Sequence, residues 1–421
     1  MKLSKYNVIV NNESTLLFNT KSQALVELDE NGINELNSLN SESNLCEAFL
    51  DMGYWVYDHV DEISELIFAN KLAVYDNAKA RIVLKTTDDC NFRCSYCYQD
   101  HQKNKLCEDK LNILLLFVQD LFHNTISNTK REISIEYFGG EPLMELPLIL
   151  QFEAMMNANG IPHKSSMTTN GFLLNEETIS KLLKVNINRF QITLDGPSET
   201  HDNTRFHKDG IGTFDIIFRN VKHLMTHDDV HVTLRTNLSP IIEPHLNAFI
   251  DFINKNELFN ERLYMIITEA MNYTNDSLSG YYGSRRLFAK AYLAAQKKLI
   301  ESGQRLYRYG RRSVYCSMAN ANALIINPKL EIESCTACNA VLGYIDQDSK
   351  LNRNSLFYQQ TFKSLYEQKK CYDCVALPMC MGGCPLLDSL GQDRCIPEKY
   401  VLSDLIPLYK RSAELHGEDG L

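Results

Sequence analysis

The order of apolar and polar residues changes twice along the chain, and each change predicts a different kind of structure. Residues 1–80 begin with short apolar runs that polar residues interrupt, which predicts strands at 6–10 and within 14–30. Helical spacing follows near 31–50 and 59–69. This region is therefore expected to form a small α+β domain, and it contains no cluster of residues typical of a catalytic site.

Residues 81–305 alternate between runs rich in β-branched residues and amphipathic stretches with helical spacing. The predicted strands are 81–85, 133–137, 165–169, 189–194, 230–234 and 263–268. The intervening helices are predicted near 109–125, 145–158, 176–184, 214–226 and 243–255. This alternation favours a parallel sheet covered by helices, in the form of a barrel or partial barrel. In such folds the catalytic residues lie at the C-terminal ends of the strands.

The last region, residues 306–421, is rich in cysteines and loops. Eight of the thirteen cysteines of the chain lie here, which predicts a small core that is held together by metal. The sequence therefore divides the chain into three expected domains, 1–80, 81–305 and 306–421.

The composition of the chain argues against nucleic-acid binding and membrane insertion. The formal net charge of −10 disfavours nucleic acid because phosphate binding needs a basic surface. The N-terminus has no apolar signal core, and polar residues interrupt the longest apolar stretch, 111–122, so we expect a cytoplasmic protein with no membrane segment. In that reducing compartment, closely spaced cysteines indicate metal ligands rather than disulfides.

Cys90, Cys94 and Cys97 have the spacing C-x3-C-x2-C and follow the first strand predicted in the middle region. Three thiolates on one loop can hold three irons of a [4Fe–4S] cluster and leave the fourth iron open to an outside ligand. Thiolates also bind zinc, so the spacing leaves a structural zinc site open, with Cys107 or His101 as the fourth ligand.

This triplet, with Tyr96 before its third cysteine, resembles the radical S-adenosylmethionine (SAM) superfamily. The resemblance implies that the open iron binds the amino and carboxylate groups of SAM. It also implies that an electron from the cluster cleaves SAM to a 5′-deoxyadenosyl radical, which removes a hydrogen atom from the substrate. The protein's part in such chemistry is to bind, to orient and to exclude side reactions.

Further strand-end segments resemble the parts of that family that contact SAM. The glycine–glycine–glutamate segment implies that Gly140 and Glu141 bind the amino group. The segment around Thr193 would contact the carboxylate and the ribose, with threonine in place of the usual serine, and Arg235 falls where a guanidinium would meet the carboxylate. The SAM-binding residues implied by the resemblance are Tyr96, Gly139, Gly140, Glu141, Thr193, Asp195, Arg235 and Asn237.

The C-terminal cysteines resemble the SPASM extension of peptide-modifying and sulfatase-maturing members of the superfamily, which binds two auxiliary [4Fe–4S] clusters. The resemblance implies that the outer cluster is held by Cys371, Cys374, Cys380 and Cys395. It implies that the inner cluster is held by Cys316, Cys335 and Cys384. The chain would then carry three [4Fe–4S] clusters in all. A zinc-binding C-terminal region is the alternative, since Cys-x2-Cys pairs also form zinc sites.

Two departures from the SPASM pattern concern the inner cluster. Leu330 stands where the family usually has glycine, and no cysteine lies just before Cys316 to complete a set of four ligands. Either Cys338 supplies the fourth ligand, or one iron is open and binds a substrate thiolate.

Two reactions of this subgroup compete as the function of the chain. One is hydrogen abstraction from a ribosomally synthesised precursor peptide to form a thioether, carbon–carbon or carbon–oxygen cross-link. The other converts a sulfatase residue to formylglycine. Sulfatase-maturing members have an aspartate base after the second upstream cysteine, where this chain has Thr336, which favours the peptide maturase. An iron–sulfur electron carrier or redox sensor is a third alternative, but it would not need the SAM-binding residues.

The resemblance also implies partners for the enzyme. Residues 1–80 resemble the winged-helix element with which peptide maturases hold the leader segment of a precursor peptide. A strand edge such as 6–10 could accept the leader as an added strand, or the region could simply cap the barrel. A reducing partner such as flavodoxin or ferredoxin is implied as the electron source, and the sequence identifies no catalytic acid or base.

Overall fold

The computed structural model describes residues 1–125, 131–273, 280–306, 310–362 and 369–417. These residues form fifteen strands, β1–β15 in chain order: Lys2–Leu3, Asn7–Asn11, Thr15–Asn19, Leu25–Leu28, Trp55–Val56, Lys79–Thr87, Glu132–Gly139, His163–Thr169, Arg189–Thr193, His231–Leu238, Leu263–Glu269, Ala323–Ile326, Glu331–Cys335, Cys338–Ile345 and Leu351–Arg353.

The same residues form fifteen α-helices, α1–α15: Glu30–Ser38, Cys46–Asp51, Glu62–Val74, Glu108–Asp120, Leu146–Ala158, Glu176–Lys184, Ser198–Thr204, Phe214–Leu224, Leu246–Lys255, Arg285–Glu301, Ser355–Phe362, Lys369–Tyr372, Leu377–Cys380, Pro385–Ser389 and Leu402–Leu415. Within the described ranges, none of these helices is long and apolar enough to cross a membrane.

The chain folds into two compact units, each built from separate segments. The barrel unit contains residues 75–281 and 317–363, and the terminal unit contains residues 1–74, 282–316 and 364–421. In the barrel unit, strands β6 to β11 lie side by side in chain order, and each pair of neighbours is parallel. Parallel strands that follow one another both in the chain and in space form a singly wound barrel sheet. The predicted partial (β/α)6 TIM-like barrel is therefore confirmed.

Local sequence explains why these segments form strands and helices. Along β7, buried and half-buried residues alternate, so one face of the strand packs into the core. At the start of α6, the side chain of Asn175 accepts a hydrogen bond from the backbone N–H of Thr178 at 2.9 Å. Lys181 and Lys184 lie in its last turn, where positive charge complements the helix dipole. The parallel pairing of β6 to β11 brings the C-terminal ends of these strands to one edge of the sheet.

Residues from the cysteine-rich region extend the other edge of the barrel sheet. β12 pairs in parallel with β6, and β13, β14 and β15 then add antiparallel strands. The compact units therefore combine segments differently from the three consecutive domains expected from the sequence, because this pairing joins residues that are distant in the chain. The boundaries 1–80, 81–305 and 306–421 stay a prediction about what each region binds.

The turn between β12 and β13 accounts for one departure from the family pattern. Leu330 has a backbone φ of +67°, a left-handed conformation that glycine adopts more easily than leucine does. The side chain of Leu330 is only 2% exposed. Burial of a leucine contributes about 1.5–3 kcal/mol, which offsets the strain of the backbone. The conformation typical of glycine is thus kept, although the residue differs.

The N-terminal part of the terminal unit contains the strands and helices expected for it. β2, β3 and β4 form an antiparallel sheet, and β1 pairs with β5. The single helical stretch expected at 31–50 is two helices, α1 and α2, because Leu39 ends α1 in a left-handed conformation. Trp55 is buried in the core, and its Nε1 donates a hydrogen bond to the Leu36 carbonyl oxygen at 2.9 Å.

The later segments of the terminal unit pack against the same sheet. α15 contacts β2 and β3, and the ring of Tyr409 lies 5.9 Å from that of Phe18. Thr20 Oγ1 donates a hydrogen bond to the Val375 carbonyl oxygen at 2.5 Å. The N-terminal strands and the segment with the last five cysteines therefore belong to one compact body.

Candidate active site

The cysteine loop connects β6 to α4 and is fixed in place by backbone hydrogen bonds. The N–H of Arg93 donates to the Phe206 carbonyl oxygen at 3.0 Å, and the N–H of Ser95 donates to the Thr204 carbonyl oxygen at 2.9 Å. These contacts hold the loop against the segment that ends α7. The positions of the three predicted cluster ligands are therefore set by residues about 110 positions further along the chain.

Gly139 and Gly140 lie where the end of β7 presses against the start of the cysteine loop. A Cβ on Gly139 would lie 2.3 Å from the Thr87 carbonyl oxygen, and a Cβ on Gly140 would lie 2.0 Å from that of Asp89. The N–H of Gly140 donates to Thr87 O at 2.8 Å, and that of Glu141 donates to Asp89 O at 2.9 Å. The absence of side chains at the two glycines therefore lets two backbone segments touch.

Glu141 differs from the expectation that it binds SAM directly. Its side chain is fully buried and does not line the site cavity. Oε1 accepts hydrogen bonds from the Thr169 hydroxyl at 2.7 Å and the Leu143 N–H at 3.0 Å, and Oε2 accepts one from the Asn170 N–H at 2.7 Å. Burial raises the pKa of Glu141, and these three hydrogen bonds oppose the rise. The carboxylate therefore braces the ends of β7 and β8.

The brace continues from Glu141 to the cysteine loop through Asn170. The Nδ2 atom of Asn170 donates to Asn91 Oδ1 at 2.8 Å and lies 3.9 Å from Cys90 Sγ. Both asparagines are buried, so these contacts are shielded from competition by water. Glu141 therefore fixes the backbone of Asn170, and the side chain of Asn170 in turn lies beside Cys90, the first cysteine of the loop.

Glu141→Gln should lower stability before it lowers SAM affinity. A glutamine amide must point its NH2 group at either the Asn170 or the Leu143 N–H, so one buried donor loses its acceptor. We expect a loss of about 1.5–3 kcal/mol in the free energy of unfolding, measured by denaturant titration of the anaerobic protein. Glu145→Gln is the control, since its pair with the exposed Lys105 at 3.7 Å contributes little. Unchanged stability with weakened SAM binding would instead restore a direct role for Glu141.

Asp195 makes a second brace of the same kind and also differs from its expected direct role. It is fully buried, does not line the cavity, and accepts a hydrogen bond at Oδ1 from the Asn237 N–H at 2.7 Å. The hydroxyl of Tyr96 hydrogen-bonds to its other oxygen and receives a hydrogen bond from Asn237 Nδ2 at 3.0 Å. Burial raises the pKa of Asp195, opposed first by the charge of Arg205. Each of two buried carboxylates thus holds an asparagine that contacts the cysteine loop.

Arg205 is a site residue that the sequence analysis missed. It is 7% exposed, and its Nη1 donates to the Tyr96 hydroxyl at 2.6 Å and lies 3.9 Å from Asp195 Oδ2. Its Nε is buried with no hydrogen-bond partner among the described residues. Burial alone would lower the pKa of Arg205, but Tyr96, Cys94 and Asp195 raise it well above its ordinary value. No signal in the sequence separates this arginine from those expected at the surface.

These elements enclose a cavity of about 270 Å³ in the barrel unit. All three cysteines of the loop line it, together with Arg205 and the hairpin residues Cys335 and Thr336. Six of the eight predicted SAM-binding residues also line it, namely Tyr96, Gly139, Gly140, Thr193, Arg235 and Asn237. Within it, Arg235 Nε donates to Asn237 Oδ1 at 2.8 Å, which aligns the two predicted polar contacts.

The thiols of the loop have the chemistry expected of metal ligands. Burial raises the pKa of Cys90 to about 12 and that of Cys94 to about 11, and Arg205 counteracts the rise at Cys94. A bound metal deprotonates such thiols outright, so a cluster would supply the positive charge that this buried group lacks. The buried Nε of Arg205 and the orphaned Nδ2 of Asn91 also lie in this polar setting. The residues therefore fit an iron–sulfur cluster.

The zinc alternative for the loop needs a fourth ligand beside the three cysteines. In the part of the chain that the structure describes, no group of three or more His, Cys, Asp or Glu side chains is arranged to hold a single metal ion. A [4Fe–4S] cube takes each thiolate at a separate iron, so its ligands need not meet at one point. Cys107 is exposed at the start of α4 and does not line the cavity. Zinc at the loop therefore stays the alternative to a cluster, with His101, which lines the cavity, as its fourth ligand.

In the terminal unit, the predicted ligands of the outer cluster lie close to one another. Arg394 Nη2 lies 3.7 Å from Cys371 Sγ, and Lys399 Nζ lies 3.3 Å from Cys395 Sγ. Burial lowers the pKa of Lys399, but the charges of Cys374 and Cys395 raise it overall. Two cations thus lie beside thiols that become negatively charged when they bind metal.

Cys380, the fourth predicted outer ligand, is buried against the same group. Burial raises its pKa to about 11, and Cys395 and Cys374 contribute to the rise. Gly383 allows the loop to close, because a Cβ there would lie 2.1 Å from the Arg394 carbonyl oxygen. Cys384 N–H donates to that same oxygen at 3.1 Å.

The predicted inner ligands come from both units. Cys335 and Cys338 face each other at the end of the β13–β14 hairpin of the barrel unit. Cys335 lines the site cavity, whereas Cys338 does not. Cys316 and Cys384 belong to the terminal unit. The inner set, and the choice between Cys338 and an open iron, stay predictions.

Known proteins resemble this chain both in the barrel and beyond it. The sequence model of the Radical SAM superfamily matches residues 84–240. The radical SAM cyclopropyl synthase TigE of Paramaledivibacter caminithermalis is 27% identical over 250 residues, half of this chain and 52% of TigE. The cysteine-type anaerobic sulfatase-maturating enzyme of Clostridium novyi is 24% identical over 340 residues, 72% of this chain and 87% of that enzyme. The match thus spans about half the length of TigE.

Two solved structures share the fold. The enzyme anSMEcpe, with AdoMet and the Kp18Cys peptide bound, aligns with a TM-score of 0.61 at 18% identity and covers 80% of this chain and 97% of its own. Streptococcus suis SuiB, bound to its precursor peptide SuiA, aligns with a TM-score of 0.52 at 13% identity and covers 94% of this chain and 98% of its own. Members of the superfamily use a [4Fe–4S] cluster and SAM. This chain therefore contains a radical SAM domain, which the family model places at residues 84–240.

Proposed function

We propose that this enzyme uses a 5′-deoxyadenosyl radical to abstract hydrogen from a ribosomally synthesised precursor peptide and to install a cross-link in it. The observation that carries the proposal is the cavity in which the three loop cysteines meet Gly139, Gly140, Thr193, Arg235 and Asn237. A cluster and SAM, when bound there, supply the radical. The residues of the chain bind and orient the reactants and exclude water.

Six side chains of the cavity are assigned to the cluster or to SAM in this proposal. Cys90, Cys94 and Cys97 hold the cluster, and Arg205 provides a buried positive charge beside them. Arg235 and Asn237, joined by their hydrogen bond, bind the carboxylate of SAM. Three clusters are proposed in all, with the auxiliary pair held by the SPASM-like cysteines and an electron source such as flavodoxin or ferredoxin.

A second candidate, sulfatase maturation, is favoured by the likeness to the Clostridium novyi enzyme over most of its length. Against it stands Thr336, which lines the cavity where the resemblance places an aspartate base. A hydroxyl has no useful basicity near neutral pH, so that reaction would lack its proton acceptor at this position. We therefore keep the peptide maturase as the main proposal.

The experiment that separates the two candidates offers the reconstituted enzyme two peptides under anaerobic conditions. One is the translation of a short reading frame adjacent to the gene, where the genome encodes one, and the other is a sulfatase-derived peptide with a single cysteine. A cross-linking maturase should remove two hydrogens from the first and leave the second unchanged, as read by mass spectrometry. Conversion of the cysteine to an aldehyde in the second peptide would instead identify the enzyme as a sulfatase maturase. An iron–sulfur carrier would modify neither and would not consume SAM.

The leader segment of the peptide is proposed to bind at β4 rather than at 6–10. Tyr6 is fully buried among Leu66, Leu377 and Met381, so that stretch is not free along its length. The edge of β4 borders a groove of about 740 Å³ between this strand and α2. Apolar residues, including the partly exposed Met52, line the groove and suit alternate side chains of an added strand.

Met52→Arg should therefore weaken leader binding about ten- to a hundredfold, since it places a charge where an apolar contact would otherwise contribute about 1.5–3 kcal/mol. The measurement is the Kd of a labelled synthetic leader by fluorescence anisotropy. Leu72→Arg is the control, because Leu72 is 59% exposed on α3 and does not line the groove. Point variants are preferable to deletion of residues 1–75, which would strip α15 of the strands it packs on. If Met52→Arg and Leu72→Arg bind the leader with equal affinity, the groove does not bind the leader, and residues 1–80 serve only to cap the barrel.

A further inference from the structure

The segment just after the cysteine loop holds a histidine in an unusual backbone conformation. His101 has a φ of +50°, in the left-handed region that residues other than glycine seldom adopt. Such conformations persist only where the surroundings impose them, and they are frequent at active sites. Here the segment returns to the barrel through the bridge between Thr87 and Lys105.

His101 lines two cavities at once. One is the site cavity of about 270 Å³, and the other is a polar cavity of about 220 Å³ that also includes Gln99 in its lining. In the polar cavity, Lys85 Nζ lies 3.1 Å from Glu333 Oε2 and 3.3 Å from Asp88 Oδ1. Both cavities lie in the barrel unit, so His101 and Gln99 form the wall between them.

The hydrogen bonding of His101 differs from that of two buried histidines of the same unit. His163 uses both ring nitrogens, at 2.7 Å from the Ile161 carbonyl oxygen and 2.9 Å from Glu153 Oε2. His201 also uses both, with the Asp195 N–H and the Thr213 hydroxyl. By contrast, Nδ1 of His101 is buried and has no hydrogen-bond partner in the described structure.

Burial and the charges around His101 lower the pKa of its ring overall. Burial is the main cause that lowers its pKa, the positive charge of Arg93 lowers it further, and Asp89 and Asp100 raise it. The polar cavity adds the charged groups Lys85, Asp88, Lys329, Glu331 and Glu333. The site cavity adds Arg205, Arg235 and Glu269 and the phenols of Tyr96, Tyr98 and Tyr273. A neutral imidazole has a free lone pair and is therefore competent to accept a proton near pH 7.

We propose that His101 is the general base of this site, a role that rests on the proposed peptide modification. The peptide group that becomes the nucleophile of the cross-link gives its proton to the imidazole ring of His101, which lines the site cavity. The X–H bond breaks, its electron pair stays on X, and an N–H bond forms on the ring. The proton then leaves through the polar cavity, whose lining includes the exposed side chains of Asp100 and Lys329. The step needs no oxidant, because it moves only a proton.

Other groups in the cavity are less suited to this role. The cysteines of the loop are assigned to the cluster, and the pKa of Tyr98 is raised, chiefly by burial, to about 12. The phenol of Tyr96 is occupied by Asp195, Arg205 and Asn237. Glu269, at the end of β11, is the remaining carboxylate that lines the cavity, and it enters the test as the competing base.

The test compares wild type, His101→Asn and Glu269→Gln in anaerobic turnover of the peptide from the adjacent reading frame. Asparagine tolerates the left-handed backbone, so the variant should fold and retain its iron. In the wild type, kcat/KM should rise with pH through the pKa of His101, which burial lowers from the ordinary value of an imidazole, and then level off. In His101→Asn, that rise should disappear, product should fall about a hundredfold or more, and the ratio of 5′-deoxyadenosine to product should increase. Turnover within threefold of wild type, or loss of the rise in Glu269→Gln instead, would overturn the assignment.

A second readout does not depend on turnover. Diethyl pyrocarbonate modifies neutral imidazoles, and peptide mass spectrometry quantifies the reaction at each histidine. His101 should react with an apparent pKa lower than that of a free imidazole and be protected by bound peptide, whereas His163 and His201 should stay unmodified. An unreactive His101 would refute the role. If wild type modifies no peptide yet His101 reacts as expected, the proposed function fails and the neutral, accessible ring remains established.

Discussion

Replacing Cys90, Cys94 and Cys97 together by alanine is expected to abolish 5′-deoxyadenosine formation and to leave the C-terminal clusters in place. All three thiols line one cavity, and no other cysteine of the loop region can replace them there. Iron should fall by about four per chain, from about 12 to about 8, if each site holds a [4Fe–4S] cluster. The measurements are SAM cleavage by liquid chromatography and iron by colorimetric assay on the same preparation.

The matched control for this variant is Cys107→Ala. Cys107 is exposed and lies outside the cavity, so its loss should change neither the iron content nor the rate of cleavage. Cleavage at the wild-type rate in the triple variant would remove the loop from the chemistry. A triple variant that keeps all its iron would mean that the loop does not hold a cluster. Zinc in place of the remaining iron would show that the C-terminal cysteines form a zinc module.

Gly140→Ala is expected to be almost as damaging, although it removes no functional group. The new methyl group would lie 2.0 Å from the Asp89 carbonyl oxygen and 2.4 Å from its carbonyl carbon. Both contacts are with backbone, which cannot turn aside as a flexible side chain can, so the start of the cysteine loop must move. We expect a loss of at least about 3 kcal/mol in the free energy of unfolding, with loss of the loop cluster.

The control for Gly140→Ala is Gly283→Ala. A Cβ on Gly283 would meet no atom within 4 Å, so its unfolding midpoint should remain close to that of wild type. Denaturant unfolding under anaerobic conditions and the electron paramagnetic resonance signal of the reduced clusters are the two measurements. A Gly140→Ala protein with wild-type stability and cluster content would show that the two strand ends are not held together as described.

The local pattern of the sequence predicted the barrel because each signal lies within one short segment. All six expected strands are present, from Lys79–Thr87 to Leu263–Glu269, and the helices between them begin near their expected positions. The pairing of Ala323–Ile326 with β6 could not be predicted, since it joins segments about 240 residues apart. The helix Arg285–Glu301 was also missed, although Ser284 caps its start.

The sequence predicted residues that the structure brings together at one site, and their roles toward SAM stay predictions. Cys90, Cys94 and Cys97 and most of the expected SAM-binding residues do line one cavity. Glu141 and Asp195 were assigned to SAM, but both are fully buried and brace neighbouring strand ends. A motif fixes which residue types occur, whereas only the packing of the strands decides which carboxylate faces the ligand.

The radical chemistry of this protein is tested most directly by asking whether the anaerobically reconstituted wild-type protein cleaves SAM reductively. The measurement is the amount of 5′-deoxyadenosine released after addition of a chemical reductant, compared with reductant and SAM without protein. The enzyme should release 5′-deoxyadenosine and methionine in equal amounts, at a rate that depends on Cys90, Cys94 and Cys97. Protein that is fully loaded with iron yet forms no more 5′-deoxyadenosine than the protein-free control would contradict this expectation.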